Sequence, residues 1–176
     1  MKLDLEFIAD AEIYRKVILQ EIPQAQKLLW IGTSDLKDLY IDQGKGKVPF
    51  LKLLSDLARD GVAIRLIYAK EPGPNFRRDF DRYPNLIEGM EKLLCPRIHF
   101  KAVVVDGRFA YSGSANLTGA GMGAKSEGQR NFESGIVTTD PALVGAIMKQ
   151  FDQLWMGNHC PGCRRKKYCF EYREME

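Results

Sequence analysis

Histidine is scarce in this chain, and one of its two copies, His99, stands two residues from Lys101 in the stretch Arg97 to Asn116, RIHFKAVVVDGRFAYSGSAN. A histidine can attack an electrophile or carry a proton, and a lysine is a fixed cation. Ser114 and Asn116 add hydrogen-bond donors a little further on. Together these types suit the oxyanion of a phosphate ester. Whether they meet depends on the elements that carry them.

Ile98 to Val105 is rich in β-branched and aromatic residues, Phe109 to Tyr111 is a second apolar run, and Asp106-Gly107 lies between them. Asp-Gly in that position predicts a hairpin, because a type I′ turn needs positive φ at both central residues. A two-residue turn sets His99 opposite Ser114, Lys101 opposite Ser112 and Arg97 opposite Asn116. Opposed residues, and residues two apart on one strand, share a face. The expected constellation is therefore His99, Lys101, Ser114 and Asn116 on one side of the sheet. Asp106, about 20 Å along an extended strand from His99, reads as turn chemistry or support more than as direct catalysis.

His99, Lys101, Asp106, Gly113, Ser114 and Asn116 fit the pattern HxK, four residues, D, six residues, GSxN without a gap. This resembles the HKD motif of the phospholipase D superfamily, and Asn131 and Glu133 resemble the family's later polar and acidic positions. The resemblance implies that His99 forms a covalent phosphohistidine while a second motif histidine protonates the leaving oxygen. Lys101 and Asn116 would hold the non-bridging oxygens with help from Ser114, and Glu133 would orient His99. Only one such motif is present. His159 has no lysine two residues on and no GSxN after it, so the resemblance implies a homodimer that brings two copies of His99 together.

The flanking pattern reads as α/β. Residues 11–21 place Ile13, Tyr14, Val17 and Ile18 at helical spacing with Asp10 as a cap, followed by a buried strand over Leu28 to Ile31 and a turn or cap at Gly32 to Asp35. Val48 to Arg59 predicts a helix ending before Gly61 at C′, and Val62 to Ala69 predicts a strand reached by a parallel crossover. Glu71 to Pro84 reads as a proline-interrupted loop, a lid or a surface for stacking bases, and 85–94 as a short helix. A glycine-rich rim after Asn116, a strand over Asn131 to Thr138 and a helix over Pro141 to Trp155 complete the set. The expected fold is a three-layer α/β/α sandwich around a mixed sheet, phospholipase D-like, over residues 1–157. A Cys-rich basic tail follows over 158–176.

In that tail His159, Cys160, Cys163 and Cys169 have knuckle spacing, with His159 or Cys95 as the fourth ligand of a structural zinc. Reduced thiols and redox chemistry are the rival readings. Arg164 to Lys167 is a basic run, and Lys45 and Lys47 sit in a predicted loop. Net charge is only +3 in 176 residues, so composition does not single out nucleic acid as the partner. No apolar run approaches the ~18 residues a membrane span requires, and the N-terminus does not read as a secretory signal, so a cytoplasmic protein is expected. The leading expectation is a metal-independent endonuclease acting on DNA or RNA. A phospholipase D or phosphatidyl transferase acting on lipid is the alternative, and a non-catalytic phosphate-binding module stands behind both.

Overall fold

The structure, a computed structural model, describes residues 4–42, 44 and 46–169. Its centre is a mixed sheet of β1 (Leu5–Ala9), β2 (Leu28–Thr33), β5 (Ala63–Tyr68), β6 (Met90–Leu94), β7 (Lys101–Val105), β8 (Phe109–Gly113) and β9 (Ser134–Thr138), in the order β1-β9-β8-β7-β2-β5-β6. The pairs β2·β5 and β5·β6 are parallel and the remaining four are antiparallel. β3 (Tyr40–Asp42) and β4 (Lys47–Pro49) form a separate ribbon.

Alternation along the strands builds a core on each face. Leu29, Ile31, Val103, Val105 and Tyr111 pack with Ile13, Val17, Ile18 and Ile22 of the first helical segment and with Leu51, Leu54 and Leu57 of α2 (Phe50–Arg59). On the other face Trp30, Ile67, Val104 and Ala110 meet Val144 and Phe151 of α5 (Pro141–Trp155). This is the expected α/β/α sandwich. The helix over Pro141 to Trp155 starts where Asp140 accepts from the amides of Ala142 (3.0 Å) and Leu143 (3.1 Å), an N-cap followed by proline at N1. α2 ends at Gly61, whose φ of +89° lets Val62 N donate to Leu57 O at 3.0 Å.

Several expectations are corrected. The first helical segment is α-helical over Ala11–Ile13 (α1), π-helical over Tyr14–Glu21 and 3₁₀ over Ile22–Gln24. Asp10 makes no side-chain cap there; its Oδ1 accepts from Glu133 N at 2.9 Å. Gly32 and Thr33 are strand residues, and Gly32 is small because a Cβ would lie 2.5 Å from the Phe100 ring. Residues 71–84 contain α3 (Pro74–Phe80). The proline read as a breaker sits in the first turn, where its fixed φ suits a helix, and Phe76 and Phe80 stack one turn apart. Only α4 (Asn85–Gly89) of the 85–94 stretch is helical; Met90–Leu94 pairs with β5. The helix placed over Val48 to Arg59 begins at Phe50, after β4, which contains Lys47. β1 had no counterpart in the sequence reading. Lys45 lies outside the described residues.

The hairpin turn is as expected, with φ of 53° at Asp106 and 65° at Gly107 and Arg108 N donating to Val105 O at 3.0 Å. Its register is not. Val105 pairs with Phe109, Lys101 with Gly113 and Ala102 with Ser112, so Arg108 is an extra residue beyond the turn. Since the side-chain period is two, that single residue moves Ser112 to the face opposite Lys101. His99 and Arg97 precede β7, and Ser114 and Asn116 follow β8, so neither expected pair lies in the ladder.

Candidate active site

The register sets one end of the sheet apart. The start of β7, the end of β8 and the start of β9 lie side by side through Lys101↔Gly113 and Gly113↔Gly135, and the end of β2 adjoins through Gly32↔Ala102. His99, Lys101, Ser114, Asn116 and Glu133 all belong to segments meeting there. Glycine at 113 is a packing requirement, because a Cβ would stand 2.4 Å from Tyr111 Oη and 2.5 Å from Ser134 O.

His99 is exposed, and its side chain has no hydrogen-bond partner among the described residues. Lys101 is the opposite, only 7% exposed. Its Nζ donates to His99 O at 2.7 Å, and among the described residues no carboxylate lies within ion-pair distance of it. Burying an unpaired ammonium is costly. An anion beside His99 would remove that cost.

Asn116 is oriented by the loop after β2. Its Oδ1 accepts from Ser34 Oγ (2.8 Å), Asp35 N (3.0 Å) and Ser34 N (3.2 Å), while the Thr33 hydroxyl, 3.3 Å away, donates to Asp35 O at 2.8 Å. Two backbone amides aimed at one atom identify it as the oxygen. The amide hydrogens on Nδ2 have no protein acceptor among the described residues and remain available to a ligand. Thr33 also accepts from Leu117 N at 2.9 Å, locking the two loops together. Asp35 pairs with Lys37 and Lys70, each at 3.1 Å. Burial pushes its carboxyl up, but the two ammonium groups outweigh that and hold it below the ordinary value.

Ser114 and Glu133 form a second network. Ser114 Oγ donates to Glu133 Oε2 and accepts from Ser134 N at 3.1 Å, while Asn131 Nδ2 donates to Glu133 Oε1 at 3.0 Å. Glu133 was expected to orient His99. Its carboxylate is instead bonded to Ser114 and Asn131, because Ser114 N also donates to Ser134 O at 2.9 Å and draws the serine against β9. Beneath them Tyr111 is fully buried, and its Oη has no partner at hydrogen-bonding geometry among the described residues. Burial pushes Tyr111 up to about 12, with the Ala115 amide acting in the other direction.

Asp106 is not brought to this cluster. At the other end of the hairpin its carboxylate accepts from Lys27 N (2.7 Å), Leu28 N (3.0 Å) and Gln26 N (3.0 Å). Burial raises its carboxyl, but these three amides and Arg108 prevail and the net shift is downward. The glycine-rich rim is divided: Leu117 to Gly119 and Gly121 to Gly123 are buried, and Lys125 to Gln129 are exposed. In the tail, no group of three His, Cys, Asp or Glu side chains among the described residues stands in an arrangement that could hold a metal ion.

The sequence profile of the family described as "Cardiolipin synthase, PLD-like domain" matches residues 18–155. The chain belongs to the phospholipase D superfamily. A mitochondrial cardiolipin hydrolase from Chlamydomonas reinhardtii is 29% identical over 101 residues, 57% of this chain and 43% of that protein, so the match spans less than half of that relative. Among solved structures, the phospholipase D family member Nuc from Salmonella typhimurium has a TM-score of 0.64 at 16% identity, over 88% of this chain and 95% of that one. NucT from Helicobacter pylori has a TM-score of 0.63 at 13% identity, over 88% of this chain and 97% of that one. At these identities the likeness is one of fold.

In this phospholipase D superfamily chain the sequence reading missed the polar groups that aim the motif. By sequence pattern Thr33, Ser34 and Asp35 read as a turn or a cap, and Asp10 as a helix cap. A signal was present: a buried strand with Thr-Ser-Asp at its carboxyl end is a common place for site residues in an α/β sheet.

Proposed function

We propose that this chain is a metal-independent phosphodiesterase that cleaves DNA or RNA through a phosphohistidine at His99, in a site completed by a second copy of the chain. The observation that carries the reading is the buried Lys101, whose ammonium donates to a carbonyl and has no carboxylate partner among the described residues, beside an exposed histidine. Lys101 Nζ and Asn116 Nδ2 hold the non-bridging oxygens while His99 attacks phosphorus. His99 of the second copy gives its proton to the leaving oxygen, then takes one from the water that releases the phosphohistidine. Glu133 keeps Ser114 at the rim, and Asp106 acts through the scaffold. Phe132, 94% exposed next to Glu133, offers a second copy an apolar contact one residue from the site. The choice of nucleic acid rests on the lysine-bearing rim, where Lys37 and Lys70 stand largely exposed and suit a polyanion.

Two observations favour a lipid diester instead: the match to a family described by cardiolipin synthase and the partial match to a cardiolipin hydrolase. No helix among the described residues is long and apolar enough to cross a membrane, which leaves surface action on lipid open. The test is hydrolysis of single-stranded and duplex DNA and RNA, beside cardiolipin vesicles, in excess EDTA, with sedimentation of the same sample. The expected result is EDTA-resistant nucleic-acid cleavage by a dimer. Turnover of cardiolipin alone selects the second reading, and an active monomer removes the shared site.

A further inference from the structure

Two cysteine-bearing segments meet at the end of the sheet that carries His99. Cys95 follows β6 and packs with Ile67, Ile98 and Phe151. Cys160, Cys163 and Cys169 come from the segment after α5, which folds back over the same region. Two contacts fasten that segment on either side of Cys95: Cys169 Sγ donates to Leu94 O at 3.7 Å, and Arg165 Nη1 donates to Pro96 O at 3.1 Å.

The local geometry around the sulfurs is that of a knuckle. Gly157, at φ +68°, reverses the chain after α5, and Cys160 N donates to Gly157 O at 2.9 Å. Cys163 N then closes a tight turn onto Cys160 O at 3.1 Å, and Cys163 Sγ accepts from Arg165 N at 3.4 Å. An amide aimed at sulfur stabilises a thiolate. No disulfide joins the four.

We propose that Cys95, Cys160, Cys163 and Cys169 form a tetrathiolate zinc site that pins the C-terminal segment to the connection between β6 and β7. Four sulfurs in a tetrahedron are a closed structural zinc set. As they stand the thiols are not a coordinating group: Cys169 is turned toward the Leu94 carbonyl. Closure takes side-chain rotation and the release of four protons as the thiols bind zinc as thiolates. The tail docks across Cys95, so Cys95 and not the exposed His159 is the fourth ligand. Since Cys95 lies four residues before His99, the metal is a staple on the strand connection that presents His99 and takes no part in the chemistry.

The test is metal analysis of the reduced full chain, produced with added zinc and desalted, beside Cys95→Ser, Cys169→Ser and His159→Ala. About one zinc per chain is expected in the unmodified protein and in His159→Ala, with most of it lost in the two serine variants. Cobalt loading of the unmodified chain gives a readout that needs no variant to fold: thiolate-to-cobalt charge-transfer bands of four-sulfur intensity. Absence of both zinc and those bands, with all four thiols reacting freely, overturns the site. Retention of metal by soluble Cys95→Ser with loss in His159→Ala overturns the choice of ligand.

Discussion

The β7–β8 hairpin carries motif residues at both ends, and the two ends treat them differently. At the turn, Asp106 is closed on the amides of Gln26, Lys27 and Leu28. At the other end, among the described residues, His99 is exposed, Lys101 is buried with only a carbonyl for company, and Asn116 has its oxygen occupied and its amide hydrogens available. One end has satisfied its polar groups internally and so stabilises. The other holds donors and a cation oriented but unneutralised, as a site for an anion must. Thus a single sequence motif contains scaffold and the residues of the proposed chemistry, and hydrogen-bond saturation separates them.

The contrast breaks first, if it breaks, at His99. His99→Ala is expected to lower phosphodiester hydrolysis by more than about 10⁴-fold with an unchanged melting temperature; substantial residual turnover in steady-state assays would mean another nucleophile. Lys101→Met should cost about 10²- to 10³-fold in kcat while raising stability, since an unpaired buried charge is replaced by an apolar chain. Loss of stability in denaturant titration would show that the bond from Lys101 to the His99 carbonyl already offsets the cost of burying the ammonium.

Asp106→Ala should reverse that pattern, costing about 2 kcal/mol of stability with kcat intact. The carboxyl titrates lower in the folded protein than the ordinary value of 3.8. Its contribution is therefore fully present above that value and disappears as pH falls through the folded one. The stability gap between the unmodified chain and Asp106→Asn should be constant near neutrality and shrink under acid; a gap widening as pH falls would reverse the sign. The smallest effect is expected from Tyr111→Phe, which removes a buried hydroxyl without a partner. It should be neutral or stabilising by up to about 1 kcal/mol, and a clear loss in thermal unfolding would reveal a hidden hydrogen bond.

Local chemistry was legible wherever it was dictated by neighbouring residues. The Asp106-Gly107 turn, the Gly61 stop and the Asp140-Pro141 start depend on backbone conformations that particular residue types favour. Where distant segments decide, reading failed. Asp10 looked like a helix cap until Glu133, far along the chain, took its carboxylate. Pro74 looked like a breaker until Phe76 was buried in the core and Asp79 met Tyr40.

From the sequence by itself came the motif, the two-layered apolar patterning that requires helices on both faces of a sheet, and the single histidine of the proposed chemistry. These are matters of residue type and short spacing. Only the tertiary structure decided the hairpin register, because one extra residue at Arg108 changes every facing pair without altering composition. It alone also brought Thr33 to Asp35 against Asn116 and the C-terminal segment against Leu94 and Pro96. Such contacts join segments far apart in sequence, where closing the loop costs entropy that only the packed whole repays.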